Sequence, residues 1–103
     1  MNVFASPGTL RALKEKMSEP QAVLRVSAMT EGCGCGANVM FEMNWDIAHR
    51  DDLRFSLGEG ITVVMDRHTA AQFEPELEIH FEEDNGSFTL KNGQEIFVNH
   101  IFV

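Results

Sequence analysis

The sequence predicts one α+β domain in which strands outweigh helices. Three observations carry this. Short apolar runs recur along the chain, and several alternate with polar residues at the period of a strand. Turn signals separate them: Gly-Glu-Gly at 58–60, Asp-Asn-Gly-Ser at 84–87 and Lys-Asn-Gly-Gln at 91–94. Only two stretches carry helix signals. Residues 1–103 read as a single domain, with no linker, internal repeat or low-complexity segment. A content of 44% hydrophobic residues, with eight Phe and one Trp, supplies a core without help from disulfides.

The elements follow in order. Residues 6–17 form a helix: Ser6 is an N-cap, Pro7 suits the first helical position, and Leu10, Leu13 and Met17 fall on one stripe. Pro20 closes the segment. Residues 22–29 read as a mostly buried strand, and a glycine-rich turn follows. In 39–45, Val39, Phe41, Met43 and Trp45 share one face, and Met40, Glu42 and Asn44 the other. Met43 and Met65 belong to the core, and Met40 faces a partner. Leu53 to Leu57 and Ile61 to Met65 are two further strands, joined at 58–60. Asp66 caps a short helix over 67–73, which Pro75 stops. Residues 77–82 alternate again, the Asn-Gly turn reverses the chain into 88–91, and 95–98 make the last strand. The total is about six or seven strands, one longer helix and one short one.

Sixteen acids against eight Lys and Arg give a formal charge of −8. A field of that sign repels phosphate backbones and anionic lipid heads, so nucleic acid and membrane are excluded as partners, and metals and basic protein surfaces are favoured. The start, MNVFASPG, has neither a basic n-region nor an apolar h-region, so a cytoplasmic protein is expected. Two cysteines in a reducing compartment point to metal binding or catalysis rather than to a structural bridge.

Both cysteines stand in TEGCGCG at 30–36. Residues i and i+2 of an extended chain converge poorly for a disulfide. Two thiolates spaced Cys-x-Cys can clasp one soft ion, and Gly34 lets both sulfurs turn the same way. Gly32 and Gly36 expose backbone N–H groups that stabilise sulfur anions. Zinc and iron–sulfur clusters want four ligands, so a chain with two sulfurs must borrow the others. A two-fold dimer doubles Cys33 and Cys35; alternatively His100 swings in from the C-terminus. Two other readings stand beside this one: a tight turn whose cysteines are small hydrophobes, and a thiol–disulfide oxidoreductase, for which Cys-x-x-Cys is the usual spacing.

The remaining candidates have structural readings. His80 lies opposite Leu77, Ile79 and Phe81 in the alternation, facing solvent or an acid. His68, in the first turn of its helix, is an exposed neutral ring, and His49 is a loop residue. The acids at 74–78 and 82–86 form a solvated rim able to guide a cation. No Ser–His–Asp spacing, phosphate-binding glycine loop or zinc-type Cys…His repeat is present, and no enzyme activity is expected.

LRVSAMTEGCG at 24–34, VVMDRHTAAQF at 63–73 and LEIHFEEDNGSFTLKN at 77–92, in that order, resemble the HesB-like family, the A-type iron–sulfur carriers. TEGCGC resembles a divergent subgroup of it. The resemblance implies a HesB-like β-rich sandwich and a non-catalytic protein that binds or carries iron or an iron–sulfur cluster. Its partners would be assembly or recipient proteins. Cys33 matches the family's first cysteine. The family's C-terminal Cys-Gly-Cys is missing: counting from Asn92, its cysteines would fall near Asn99 and Ile101. Cys33, Cys35 and His100 are therefore the candidate ligands, with zinc as an alternative metal. A metal-free interaction module that kept the fold is the competing reading.

Overall fold

The computed structural model describes residues 1–31, 38–93 and 95–103, with the backbone alone for 30, 31 and 38. Among them run β1 (Asn2–Ala5), α1 (Pro7–Lys16), β2 (Val23–Glu31), β3 (Asn38–Asp46), β4 (Leu53–Gly58), β5 (Ile61–Met65), α2 (Arg67–Phe73), β6 (Glu76–Glu82), β7 (Ser87–Lys91) and β8 (Ile96–Ile101). They form two four-stranded sheets, in the orders β1-β6-β7-β8 and β3-β2-β5-β4. The inward faces meet in one core built from Leu13, Leu24, Val26, Met43, Val63, Met65, Phe73, Leu77, Ile79 and Phe88, each at most 2% exposed. This is the β-rich α+β architecture the sequence predicts, with one strand more than expected. The addition is β1, whose four residues pair in parallel with β6, more than seventy positions away.

Although the sequence shows no repeat, the fold contains one. Each half runs strand, helix, strand, strand, strand, and each half lends its first strand to the other. β1 pairs in parallel with β6, and β5 pairs in parallel with β2. A helix follows each lent strand after a single capping residue, Ser6 or Asp66, whose side chain accepts the N–H of the residue three places on. That residue is threonine both times. Thr9 Oγ1 accepts the N–H of Phe81 at 3.0 Å, and Thr69 Oγ1 accepts the N–H of Ala28 at 3.0 Å. Phe81 lies two residues past Ile79, the partner of Ala5. Ala28 lies two past Val26, which the Leu24–Val63 register sets beside Met65. In each case the threonine supplies the acceptor that the strand's neighbour no longer offers. An unpaired buried donor costs about 1–3 kcal/mol. Thr69→Val should therefore destabilise the fold by that amount in urea unfolding, and Thr69→Ser, which keeps the hydroxyl, by clearly less.

The two halves differ in their last strand. β8 lies against the outer edge of β7, but β4 crosses to the far side of β5 and leaves the outer edge of β3 without a strand among the described residues. The crossing segment, 47–52, is tied by Arg25, which projects outward between the buried Leu24 and Val26. Arg25 Nε donates to Asp46 Oδ2 at 2.6 Å, Nη1 and Nη2 donate to Asp52 at 2.9 and 2.7 Å, and Nη2 donates to the Ile47 carbonyl at 3.1 Å. Val64 sits in the same outward row, between Arg25 and Arg54, yet is fully buried.

Candidate functional site

β2 and β3 form a hairpin with nine consecutive pairs, from Val23↔Asp46 at its base to Glu31↔Asn38 at its end. Residues 32–37 join that end, and they include Cys33 and Cys35, which lie outside the described residues. The stem is described, and it is anchored twice. Arg25 clamps the base, and Thr69 holds Ala28. Past Ala28 the hairpin exposes an outward apolar pair. Met29 and Met40 stand directly opposite one another and are 41% and 48% exposed; Val39, on the other face with Phe41 and Met43, is 38% exposed. Met40 thus faces away from the core, as the alternation predicts.

His100 stands on a different part of the molecule. β8 carries one extra residue between Val98 and Ile101 relative to the stretch Phe88–Leu90 that it pairs with. Within that bulge His100 adopts φ 61°, in the left-handed region, and its side chain is exposed. Bulges of this kind re-aim a side chain. With Ile101 and Phe102, His100 forms one wall of an open groove of about 350 Å³ whose other wall is Phe41–Asn44 of β3. The near end of that wall is three residues from Asn38, which is about 10 Å along a strand.

The positions where the family's second cysteine pair would fall have other occupations. Asn99 Oδ1 accepts the Thr89 hydroxyl at 3.1 Å, and Ile101 is buried opposite Phe88. His80 Nε2 lies 3.5 Å from Glu82 Oε1; His68 is exposed and His49 lies in the loop between β3 and β4, as expected. Asp66 is a helix cap: the N–H of Thr69, 2.7 Å from Oδ1, is the main cause holding its carboxyl below the usual range against burial. Among the described residues, no three His, Cys, Asp or Glu side chains are grouped to hold a metal ion.

Two features escaped the sequence reading. One is the Arg25 clamp, whose signal is a single cation inside an otherwise apolar strand. The other is the pairing of Met29 with Met40, which needs the hairpin register to be seen.

The profile of the iron–sulphur cluster biosynthesis family matches residues 1–101. The chain belongs to that family. No curated protein matches it by sequence alone. Solved structures share its fold. Escherichia coli SufA, involved in biosynthesis of iron–sulfur clusters, is 19% identical with a TM-score of 0.67, over 91% of this chain and 82% of SufA. A Lactobacillus acidophilus protein assigned to Fe–S biosynthesis gives 13% and 0.70, over 99% of this chain and 87% of the other. IscA with a [2Fe–2S] cluster gives 16% and 0.52, over 97% and 94%. Membership places the chain in iron–sulfur cluster assembly. No described helix is long and apolar enough to cross a membrane.

Proposed function

We propose that this domain takes up iron or an iron–sulfur cluster through Cys33 and Cys35 and passes it to an assembly or recipient protein in the cytoplasm. The observation behind this is the placement of the chain's only two cysteines between the paired ends Glu31 and Asn38 of a long, anchored hairpin, in a domain of this family. Thiolates are the soft donors that iron–sulfur units and zinc take. Two sulfurs per chain leave any four-ligand set incomplete, which suits cargo held in transit and shared with a second molecule. The protein acts by binding and transfer, with no substrate turned over.

The test is anaerobic reconstitution of the full chain with ferrous iron and sulfide. The wild type should turn brown and hold iron, and Cys33→Ser should bring iron down to background. His100→Ala should lower the bound iron if the imidazole is a third donor. A colourless wild type without iron or zinc by elemental analysis would overturn the reading. It would favour a metal-free interaction module, for which the structural use of Asn99 and Ile101 is the supporting observation.

A further inference from the structure

We propose that Met29 and Met40 together bind a soft monovalent cation of the copper(I) class, at a site that uses neither thiol and stands apart from the reading given above. Among the described residues they are the only methionines directly opposed in a strand register. Both lie on the outward row of the β2–β3 hairpin and are exposed, so an ion reaches them from solvent.

The register sets the span between the two donors. Residues directly opposite one another in an antiparallel pair have Cβ atoms about 4.5–5.5 Å apart. Bonds from such an ion to sulfur are about 2.3 Å, so two sulfurs on either side of it are about 4.6 Å apart. The two spacings match, and three rotatable bonds in each side chain let the sulfurs turn toward one another in staggered rotamers. The stem holds the span fixed. The Ala28 N–H, next to Met29, is bound by Thr69 Oγ1 at 3.0 Å, and the pairing with β3 is unbroken from Val23 to Glu31. Less freedom is then lost when an ion is clasped.

The donors select the ion. Neutral, polarisable sulfur suits copper(I), whereas calcium and magnesium take oxygen ligands. The next residue along the outward row of β3 is Glu42, exposed and opposite Ser27. Its carboxylate, in a chain of formal charge −8, draws a cation to this face and offsets its charge. Residue choice points the same way. Strand positions favour β-branched and aromatic side chains. A pair that only steadied the hairpin would gain its roughly 0.2–1 kcal/mol from such residues as well. Two methionines in register give up that preference and add what those residues lack, a soft donor atom.

The test uses the full chain with both cysteines changed to serine, which removes the thiols, and with isotope-labelled methionine methyl groups read by NMR. Silver(I), which matches copper(I) in charge and softness and needs no protection from air, is titrated in. Two methyl signals, assigned by Met29→Leu and Met40→Leu, should move together and saturate at one ion per chain. Met43 and Met65, which are buried, and Met1, which is exposed but outside the strands, should stay in place. Competition for copper(I) against a chromophoric chelator, under reducing conditions, should then show each leucine variant binding roughly tenfold or more weakly than its parent, since one sulfur alone loses the chelate. Leucine fills nearly the same space, so both variants should keep the parent's urea midpoint. A Met1 signal that moves at the same silver(I) concentrations, one ion per two chains, or a Met40 response undiminished by Met29→Leu would overturn the site. Iron uptake by the wild type bears on the carrier reading alone, so the two readings fail separately.

Discussion

Phe73→Ala should cost about 3–5 kcal/mol, the largest loss expected from any single truncation in this fold. Phe73 is fully buried on the last turn of α2. Its ring centroid lies 5.2 Å from that of Phe41 on β3 and 5.0 Å, edge-on, from that of Phe97 on β8. One side chain therefore joins a helix to an edge strand of each sheet, and the two ring contacts each add about 0.5–1.5 kcal/mol beyond the area they bury. A domain of this size has roughly 5–15 kcal/mol in total, so the variant should unfold at a much lower urea concentration. The single tryptophan, Trp45, reports the transition. Phe73→Leu, which refills most of the volume, should lose about 1.5 kcal/mol or less. A loss below about 1 kcal/mol for the alanine variant would place the joint elsewhere. The same packing holds β3 and β8 on either side of the groove that carries His100, so this variant should also blur that geometry.

Local signals wrote most of the fold into the sequence. Ser6-Pro7 and Asp66 place both helices within a residue of their observed ends, and Ile61–Met65 is a strand with the bounds its apolar run implies. These elements are set by caps, turns and burial, which act over a few residues. The parts that stayed hidden depend on distant partners. β1 is too short to announce itself, and only its pairing with β6 makes it a strand. β8 runs on to Ile101, past the expected end at Val98, by absorbing a bulge that no local residue type demands. The repeat is invisible because its halves share geometry rather than residues. Its trace in sequence is no more than Ser-x-x-Thr at 6–9 and Asp-x-x-Thr at 66–69.

The site divides in the same way. Cys33 and Cys35 are legible as candidate soft donors from residue type and spacing alone, and they lie outside the described residues. That the hairpin carrying them has a free outer edge on β3 among the described residues is a matter of topology, where β4 leaves β3 to join β5. Met40 could be read as outward-facing from alternation, whereas its opposition to Met29 could not. Arg25 could have been read further: a guanidinium between Leu24 and Val26 must find anions, and Asp46, Asp51 and Asp52 were the nearby choices across the turn.

Arg25 sets the second large effect, and with it the acid limit of the fold. Arg25→Ala should destabilise by roughly 2–4 kcal/mol, because it strands a carboxylate that has left water. The Asp52 side chain is only 6% exposed. Its carboxyl is held well below the usual range chiefly by the Arg25 guanidinium, with the His49 N–H at 2.6 Å also lowering it and burial opposing both. Asp46 is lowered too, first by the Ile47 N–H and then by Arg25. Arg25 is itself raised, mainly by Asp52. Because the folded pKa of Asp52 lies below the unfolded value of about 3.9, the unfolded chain binds the extra proton. The stabilisation is complete well above that pH and drains away as pH falls through the folded value. Urea unfolding of the wild type should therefore weaken steadily below about pH 4. In Asp52→Asn that slope should flatten, since the group that titrates is gone while the shape remains. In Arg25→Ala it should flatten or reverse, because a stranded carboxylate gains by protonation. An unchanged acid slope in Asp52→Asn would show that another carboxylate governs it. If the slope does belong to Asp52, acid should loosen the 47–52 crossing before the sheets.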